Sequence, residues 1–193
     1  MHRDRLVELL RERSLKRGDF VLASGARSSY YVDCRTTTTR AEGQFLIGQL
    51  GWELLKSSGL YPDAVGGLTM GADPFAYAVA HTSWLAGEPV DSFSVRKQPK
   101  DHGTGKRIEG SFGEGSRVVI LEDVITSGAS ALEACAAVRA EGGEVLGVMA
   151  LLDREAGGRE LIEEAGYRVF SLFRISELLE DDAESADAIP GAR

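Results

Sequence analysis

The stretch VVILEDVITSGAS, residues 118–130, decides the fold of this chain. It begins with four consecutive apolar residues, which are typical of a strand buried on both faces of a parallel sheet. It ends in small residues, and the spacing of Ser130 and Glu133 fits a capping box, which predicts a helix that begins at Ser130. A helix N-terminus offers free N–H groups and partial positive charge to an anion. The stretch therefore predicts a phosphate cradle at the carboxyl end of a buried strand.

Apolar runs alternate with helical patterns on both sides of this stretch. Strands are predicted at residues 20–22, 30–33, 64–67, 90–95, 117–122, 145–152 and 167–171, and helices at 3–13, 40–58, 73–86, 130–141 and 155–165. Strands joined by single helices imply right-handed crossovers and a parallel sheet covered on both faces. We predict one α/β domain over residues 1–193, with a central parallel sheet flanked by helices and a frayed tail over about 181–193.

Composition and charge exclude several classes of protein. With 43% hydrophobic and 27% charged residues, the 193-residue chain has the composition of a globular protein. A net charge of −8 argues against nucleic-acid binding, which needs a basic face. The charged start of the chain does not resemble a secretion signal and no apolar run could span a membrane, so we expect a cytoplasmic protein without a membrane partner. Cys34 and Cys135 are expected to be reduced thiols, with a disulfide as the alternative.

Two acids, Glu122 and Asp123, stand directly before the predicted cradle. They would repel a phosphate unless they meet hydroxyl groups or a cation. A ribose attached to the phosphate supplies hydroxyl groups, and Mg²⁺ suits carboxylate and hydroxyl oxygens. Together with the hydroxyls of Thr126, Ser127 and Ser130, the acids predict a ribose-phosphate ligand. The alternative is an ordinary strand-to-helix turn with solvated acids.

A basic stretch lies upstream, within an otherwise acidic chain. Six basic or histidine residues fall within twelve positions: Arg96, Lys97, Lys100, His102, Lys106 and Arg107. Glycines at 103, 105 and 110 interrupt the stretch, so it is predicted to move rather than to form a helix. A cationic segment of this kind suits a pyrophosphate leaving group, whose charge grows as its bond to carbon breaks. A solvated surface loop is the alternative.

These two motifs together resemble a known family. VVILEDVITSGAS resembles the donor-binding signature of the type I phosphoribosyltransferases, with Ala129 where the family usually has a second glycine. The run VRKQPKDHGTGKRIEG, which starts at Val95, is similar to the catalytic loop of the orotate phosphoribosyltransferases, whose pattern is R-K-x-x-K-D-H-G. The resemblance spans residues 20–155 and implies a type I phosphoribosyltransferase-like fold with a small N-terminal hood over about residues 1–40.

The resemblance also implies a reaction and its residues. The expected activity is transfer of a phosphoribosyl group from 5-phosphoribosyl 1-pyrophosphate (PRPP) to orotate, with Mg²⁺ carried mainly by PRPP and no certain protein ligand to the metal. The expected assembly is a homodimer in which the flexible loop, about 96–112, acts on the neighbouring subunit. Expected catalytic residues are Lys100, Asp101 and His102. Expected PRPP-binding residues are Arg96, Lys97, Lys100, His102, Glu122, Asp123, Val124, Ile125, Thr126, Ser127, Gly128, Ala129 and Ser130.

Three further segments follow from the same resemblance. Thr126 and Arg154 are expected to bind orotate, since an arginine after this strand meets the carboxylate of the base in the family. Residues 69–71 are expected to face the pyrophosphate. The segment FVLASGARSSYYVDCR, residues 20–35, resembles the hood over the base, but Ala23 stands where some members carry a donor-binding lysine, so that contact is not expected here.

Two alternatives remain open from the sequence. One is a phosphoribosyltransferase that uses a purine base. The other is a regulator that binds PRPP without turnover, although such a protein would need a basic surface for nucleic acid.

Overall fold

The computed structural model describes residues 1–21, 25, 27–98 and 106–180. The strands are β1 Leu15–Val21, β2 Arg27–Val32, β3 Ala64–Leu68, β4 Asp91–Val95, β5 Ile108–Gly110, β6 Arg117–Ile125, β7 Glu144–Asp153 and β8 Val169–Arg174. The helices are α1 His2–Leu9, α2 Arg35–Thr38, α3 Ala41–Ser57, α4 Asp73–Leu85, α5 Ala129–Ala140, α6 Gly158–Glu164 and α7 Ile175–Leu179. A wider helical turn, Leu10–Ser14, continues α1.

Six strands form the central sheet in the order β5-β4-β3-β6-β7-β8. In this sheet the pairs β4–β3, β3–β6, β6–β7 and β7–β8 are parallel, whereas β5 runs antiparallel to β4. Helices α3 and α4 contribute to the apolar core on one face and α5 and α6 to the core on the other. The predicted α/β fold with a helix-flanked parallel sheet is therefore confirmed. Strand β5 was not predicted, because three residues are too few to show an alternating pattern.

Strands β1 and β2 form a separate antiparallel pair near the carboxyl ends of the central strands. Hydrogen bonds fix this pair to the helices around it: Asp33 N donates to Ser14 O at 3.0 Å, and the Ser14 and Thr37 hydroxyls lie 2.8 Å apart. Both strands are longer than the sequence pattern predicted. Because Tyr31 and Val32 line the cavity described below, we call this pair, together with residues 33–35, the hood.

Several boundaries differ from the sequence prediction for local reasons. Strand β6 continues through both acids to Ile125, because its second half still pairs with β7. Helix α6 begins at Gly158 rather than at 155, since the residues after β7 form a turn. The short helices α2 and α7 were missed because four or five residues carry too little periodicity.

Both cysteines, Cys34 and Cys135, are buried and free, and their reduced state stays a prediction. In the described part of the chain, no helix has the length and apolar character needed to cross a membrane.

Candidate active site

The carboxyl ends of β3, β6 and β7 open into a cavity of about 540 Å³ beneath the hood. Its walls combine the two predicted motifs with the hood. The lining residues are Tyr31, Val32, Asp33, Cys34, Arg35, Leu68, Thr69, Met70, Gly71, Lys97, Glu122, Asp123, Val124, Thr126, Ser127, Ser130 and Arg154. The structure thus brings residues 69–71, Lys97 and Arg154 together with the acid pair, although they lie far apart in sequence.

A smaller pocket of about 110 Å³ lies at the start of α5. Its lining includes Glu122 and the residues from Val124 to Ala131, so it shares a wall with the larger cavity. Gly128 precedes the helix with φ +77°, a left-handed conformation that favours glycine. A Cβ on Gly128 would lie 2.7 Å from the Gly158 carbonyl oxygen. The close packing against Gly158 and the backbone N–H groups of the first turn of α5 form a cradle suited to a phosphate.

The predicted capping box at Ser130 and Glu133 is wrong. Helix α5 begins at Ala129 after Gly128, and no side chain caps it. Glu133 instead accepts a hydrogen bond from Arg107 Nη2 at 2.5 Å. The left-handed turn at Gly128 starts the helix before Ser130, which therefore lies in the first turn and lines the pocket.

Glu122 and Asp123 are an unusual pair of acids for a folded interior. Glu122 is only 5% exposed, and its Oε2 lacks a hydrogen-bond partner among the described residues. Burial, and then repulsion from Asp123, raise the pKa of Glu122. Burial also raises the pKa of Asp123, although Val124 N donates to its Oδ1 at 2.9 Å. Without a ligand, the pair therefore favours retention of a proton.

The loop after β3 packs directly against these acids. A Cβ on Gly71 would lie 2.6 Å from Asp123 Oδ1, so a side chain at this position would displace the Asp123 carboxylate. The peptide bond between Thr69 and Met70 is cis, and Thr69 N donates to Val95 O at 2.8 Å. These contacts place the loop beside the acid pair, where a ligand in the cavity would touch both.

Arg154 reaches the cavity from the end of β7. Its backbone N donates to Ile125 O at 2.9 Å, and its Cζ lies 5.1 Å from the centre of the Tyr30 ring in the hood. Its Nε is buried without a hydrogen-bond partner among the described residues. A cation held against an aromatic face and lacking a partner is suited to a planar anion such as a carboxylate.

The backbone around Arg154 is held by the neighbouring Asp153, which is 2% exposed. Asp153 Oδ1 accepts from Glu155 N at 2.9 Å, and its Oδ2 accepts from Arg159 Nε at 2.7 Å. Arg159 also donates to Val169 O at 2.9 Å and to the Ser171 hydroxyl at 2.9 Å. This buried ion pair fixes the turn that carries Arg154, a role that the sequence did not reveal.

The hood contributes Asp33 and Arg35, which sequence reasoning also missed. Arg35 donates two hydrogen bonds to Asp33, from Nε to Oδ1 at 2.8 Å and from Nη2 to Oδ2 at 2.9 Å. This contact lowers the pKa of Asp33. Burial raises the pKa of the Cys34 thiol between them well above its usual range, so the thiol stays protonated. An acid and a base two positions apart at the end of a strand, Asp33 and Arg35, were the sequence signal that could have indicated this ion pair.

The basic stretch divides into residues that line the cavity and residues that do not. Lys97 lines the cavity, whereas Arg96 Nε donates to Glu109 at 3.1 Å. The predicted catalytic residues Lys100, Asp101 and His102 lie outside the described residues. Over residues 1–21, 25, 27–98 and 106–180, no cluster of three or more histidine, cysteine or acidic side chains could hold a metal ion.

A family model for the phosphoribosyl transferase domain matches residues 40–180. The orotate phosphoribosyltransferase of Aquifex aeolicus is 50% identical over 182 residues, which cover 93% of this chain and 98% of that protein. This chain belongs to the orotate phosphoribosyltransferase family. Another member, from Bradyrhizobium diazoefficiens, is 45% identical over 92% of this chain and 96% of that protein.

Solved structures of the family agree with this assignment. The orotate phosphoribosyltransferase of Mycobacterium tuberculosis H37Rv has a TM-score of 0.82 and 43% identity, covering 92% of this chain and 99% of that chain. The same enzyme in complex with PRPP has a TM-score of 0.79 and 42% identity over 92% of this chain and 99% of that chain. An adenine phosphoribosyltransferase from Leishmania donovani shares the fold, with a TM-score of 0.62 but 18% identity over 96% of this chain and 86% of that chain.

Proposed function

We propose that the chain transfers the phosphoribosyl group of PRPP to orotate, yielding orotidine 5′-phosphate and pyrophosphate in the de novo synthesis of pyrimidine nucleotides. The single observation that carries the choice of base is Arg154, which lines the cavity beside the Tyr30 ring and whose buried Nε has no hydrogen-bond partner among the described residues. A purine base has no carboxylate for such a group. The high identity to orotate phosphoribosyltransferases supports the same choice.

The geometry divides the work of the reaction among three parts of the cavity. The cradle at Gly128 to Ser130 anchors the 5-phosphate of PRPP, and Glu122 and Asp123 accept hydrogen bonds from the ribose hydroxyls. Arg154 holds the carboxylate of orotate so that a ring nitrogen faces the anomeric carbon, and Thr126, which lines both the cavity and the smaller pocket, contacts the base from the side of the cradle. That carbon passes through a cationic, oxocarbenium-like state, which the buried acids also stabilise.

Magnesium fits the donor set at this site, although the protein alone does not complete a coordination shell. Glu122 Oε2 is a buried carboxylate oxygen without a partner among the described residues, and Asp123 lines the same cavity, whereas Arg35 already holds both oxygens of Asp33. Oxygen ligands of this kind, together with ribose and pyrophosphate oxygens, suit Mg²⁺. When bound, the ion would neutralise charge that develops on the leaving pyrophosphate.

The basic loop and the assembly complete the proposal. Lys97 lines the cavity of its own chain and would meet the pyrophosphate there, whereas Lys100, Asp101 and His102, which lie beyond the described residues, would reach it from the neighbouring subunit of a homodimer. Large exposed apolar side chains on and beside α4, among them Met70, Tyr77 and Trp84, support association with a second copy. The free thiols suit a reducing compartment and support a cytoplasmic enzyme.

An assay with different bases tests the proposed function. The protein, PRPP and Mg²⁺ are incubated in turn with orotate, adenine, hypoxanthine and xanthine, and pyrophosphate release and nucleotide formation are measured. We expect turnover with orotate alone, because Arg154 requires a carboxylate. Turnover of a purine without turnover of orotate would contradict the assignment, and PRPP binding without turnover of any base would favour the regulator.

The raised pKa values of the acid pair predict that PRPP binding releases a proton. Ribose hydroxyls and Mg²⁺ favour the charged carboxylates, so binding lowers the pKa values that burial raises in Glu122 and Asp123. PRPP affinity should therefore increase from roughly pH 6 to pH 8. Titration calorimetry in two buffers of different ionisation enthalpy measures the proton count.

The variant Glu122→Gln provides the control for this linkage, since it removes the titrating carboxyl with little change in volume. The number of protons that this variant releases per bound PRPP should be markedly smaller than in the wild type. An identical proton count in the wild type and the variant would place the linkage elsewhere.

A further inference from the structure

Arg107 belongs to the basic stretch, but its guanidinium is engaged within the protein and does not line the cavity. Its Nη2 donates to Glu133 on α5 at 2.5 Å. The same group donates to two carbonyl oxygens at the start of the stretch, Arg96 O at 3.0 Å and Lys97 O at 3.2 Å. One side chain thus connects the end of the stretch, its start and helix α5.

Glu141, directly after α5, adds a second connection. Its Oε1 accepts from Arg107 N at 2.9 Å and from Ile108 N at 3.3 Å. In addition, Arg96 N donates to Arg107 O at 2.8 Å, which extends the β4–β5 pairing beyond both strands. We call Arg107, Glu133 and Glu141 the α5 clamp, because these contacts hold both ends of the stretch against one helix.

The α5 clamp has a consequence for Lys97, whose backbone carbonyl Arg107 holds. Among the described residues of the stretch, Lys97 lines the cavity, whereas Arg96 and Arg107 do not. The N-terminus of α5 also forms the cradle for the phosphate. The same helix therefore sets the positions of the cradle and of the Lys97 backbone, at opposite ends of a bound donor.

We propose that Arg107 is a positioning residue, not a ligand of pyrophosphate, and that with Glu133 it sets the distance between Lys97 and the 5-phosphate cradle. This inference rests on the proposed transfer reaction and goes beyond it, because it separates the cations of the stretch into two roles. Lys97 meets the leaving group, and Arg107 aligns the segment that carries it.

Steady-state kinetics of Arg107→Ala tests this role. Loss of alignment should lower kcat by roughly 10- to 100-fold, since small misplacements of a catalytic segment have effects of that size. The KM for PRPP and the inhibition constant of pyrophosphate should change less than about threefold, because no ligand contact is lost. Arg117→Ala is the matched control, since Arg117 forms an ion pair with Glu144 at 3.8 Å at the other end of β6.

Glu133 variants give an independent second measurement, even if Arg107→Ala folds poorly. Glu133→Ala should lower kcat in the same direction, Glu133→Gln should restore most of it because its amide oxygen still accepts, and the double variant Arg107→Ala/Glu133→Ala should be no worse than Arg107→Ala. A pyrophosphate inhibition constant weakened tenfold or more in Arg107→Ala, or strictly additive losses in the double variant, would overturn the proposal.

A readout without any base separates this inference from the proposed function. Trypsin cleavage after Lys97 is followed by mass spectrometry in the ligand-free protein, where the α5 clamp restrains that peptide bond. Glu133→Ala should be cleaved several-fold faster than the wild type, whether or not orotate is the substrate. Equal cleavage rates would reject the α5 clamp, whereas faster cleavage in an enzyme that does not use orotate would reject only the assigned base.

Discussion

Replacing Arg154 with alanine should lower kcat/KM for orotate by about 100- to 1000-fold, while PRPP binding stays within about threefold. In the proposed reaction the guanidinium, which lies beside the Tyr30 ring, holds the carboxylate of the base, and its Nε lacks any partner among the described residues. Loss of a desolvated, charge-assisted pair costs about 3–4 kcal/mol, and about 1.4 kcal/mol corresponds to a factor of ten. The measurement is steady-state kinetics with each substrate varied in turn.

Arg168→Ala is the matched control for this variant. Arg168 also stacks on an aromatic ring, with Cζ 5.0 Å from the centre of Phe170, and donates to Ser58 O at 2.9 Å, but it does not line the cavity. It should therefore leave orotate kinetics unchanged. If Arg154→Ala used orotate within about threefold of the wild type, the role of Arg154 in choosing the base would be wrong.

Gly128→Ala should weaken PRPP binding by roughly 100-fold, because it distorts the phosphate cradle. The added methyl would lie 2.7 Å from Gly158 O and 3.0 Å from Ile162 Cγ1, so the turn must move away from α6. The left-handed φ of +77° adds a penalty of about 1–2 kcal/mol for any residue with a side chain. Calorimetric titration of the variant with PRPP and Mg²⁺ gives the affinity directly.

Gly87→Ala separates backbone strain from damage to the cradle. Gly87 has the same φ of +77°, but a Cβ there would have no atom within 4 Å. Both variants should lose a similar part of their unfolding free energy to backbone strain, yet only Gly128→Ala should bind PRPP poorly. Equal PRPP affinities in the two variants would show that the close packing of Gly128 against Gly158 does not shape the cradle.

The parts of the site that lie within one continuous stretch were predictable from the sequence. The strand, the acid pair and the cradle of residues 118–130 depend on neighbours along the chain, so their order alone indicates their geometry. The start of α5 was mispredicted by one residue, because Ser130 and Glu133 match a capping box while Gly128 already makes the turn. Where a local pattern is compatible with two helix starts, the backbone conformation decides between them, and the sequence indicates that conformation only indirectly.

The parts of the site that depend on tertiary contacts could not be predicted. Arg107 and Glu133 are 26 residues apart, and neither shows a pattern that links it to the other. The contact between Arg154 and the Tyr30 ring likewise requires the hood to lie over the central sheet. Charge and spacing identified the basic stretch as a whole, but only the fold shows that Lys97 lines the cavity while Arg107 bonds to Glu133 and to the start of the stretch.

Strand β5 has a consequence for protein engineering and for solubility. It is three residues long, ends at Gly110 with φ +101°, and covers the outer edge of β4, so the sheet ends in a short strand that offers little for another chain to extend. The segment that carries the basic stretch thus also protects the sheet from edge-to-edge aggregation. A shortened loop made to study catalysis should therefore keep residues 107–110, since removing them would uncover β4 and confuse loss of activity with self-association.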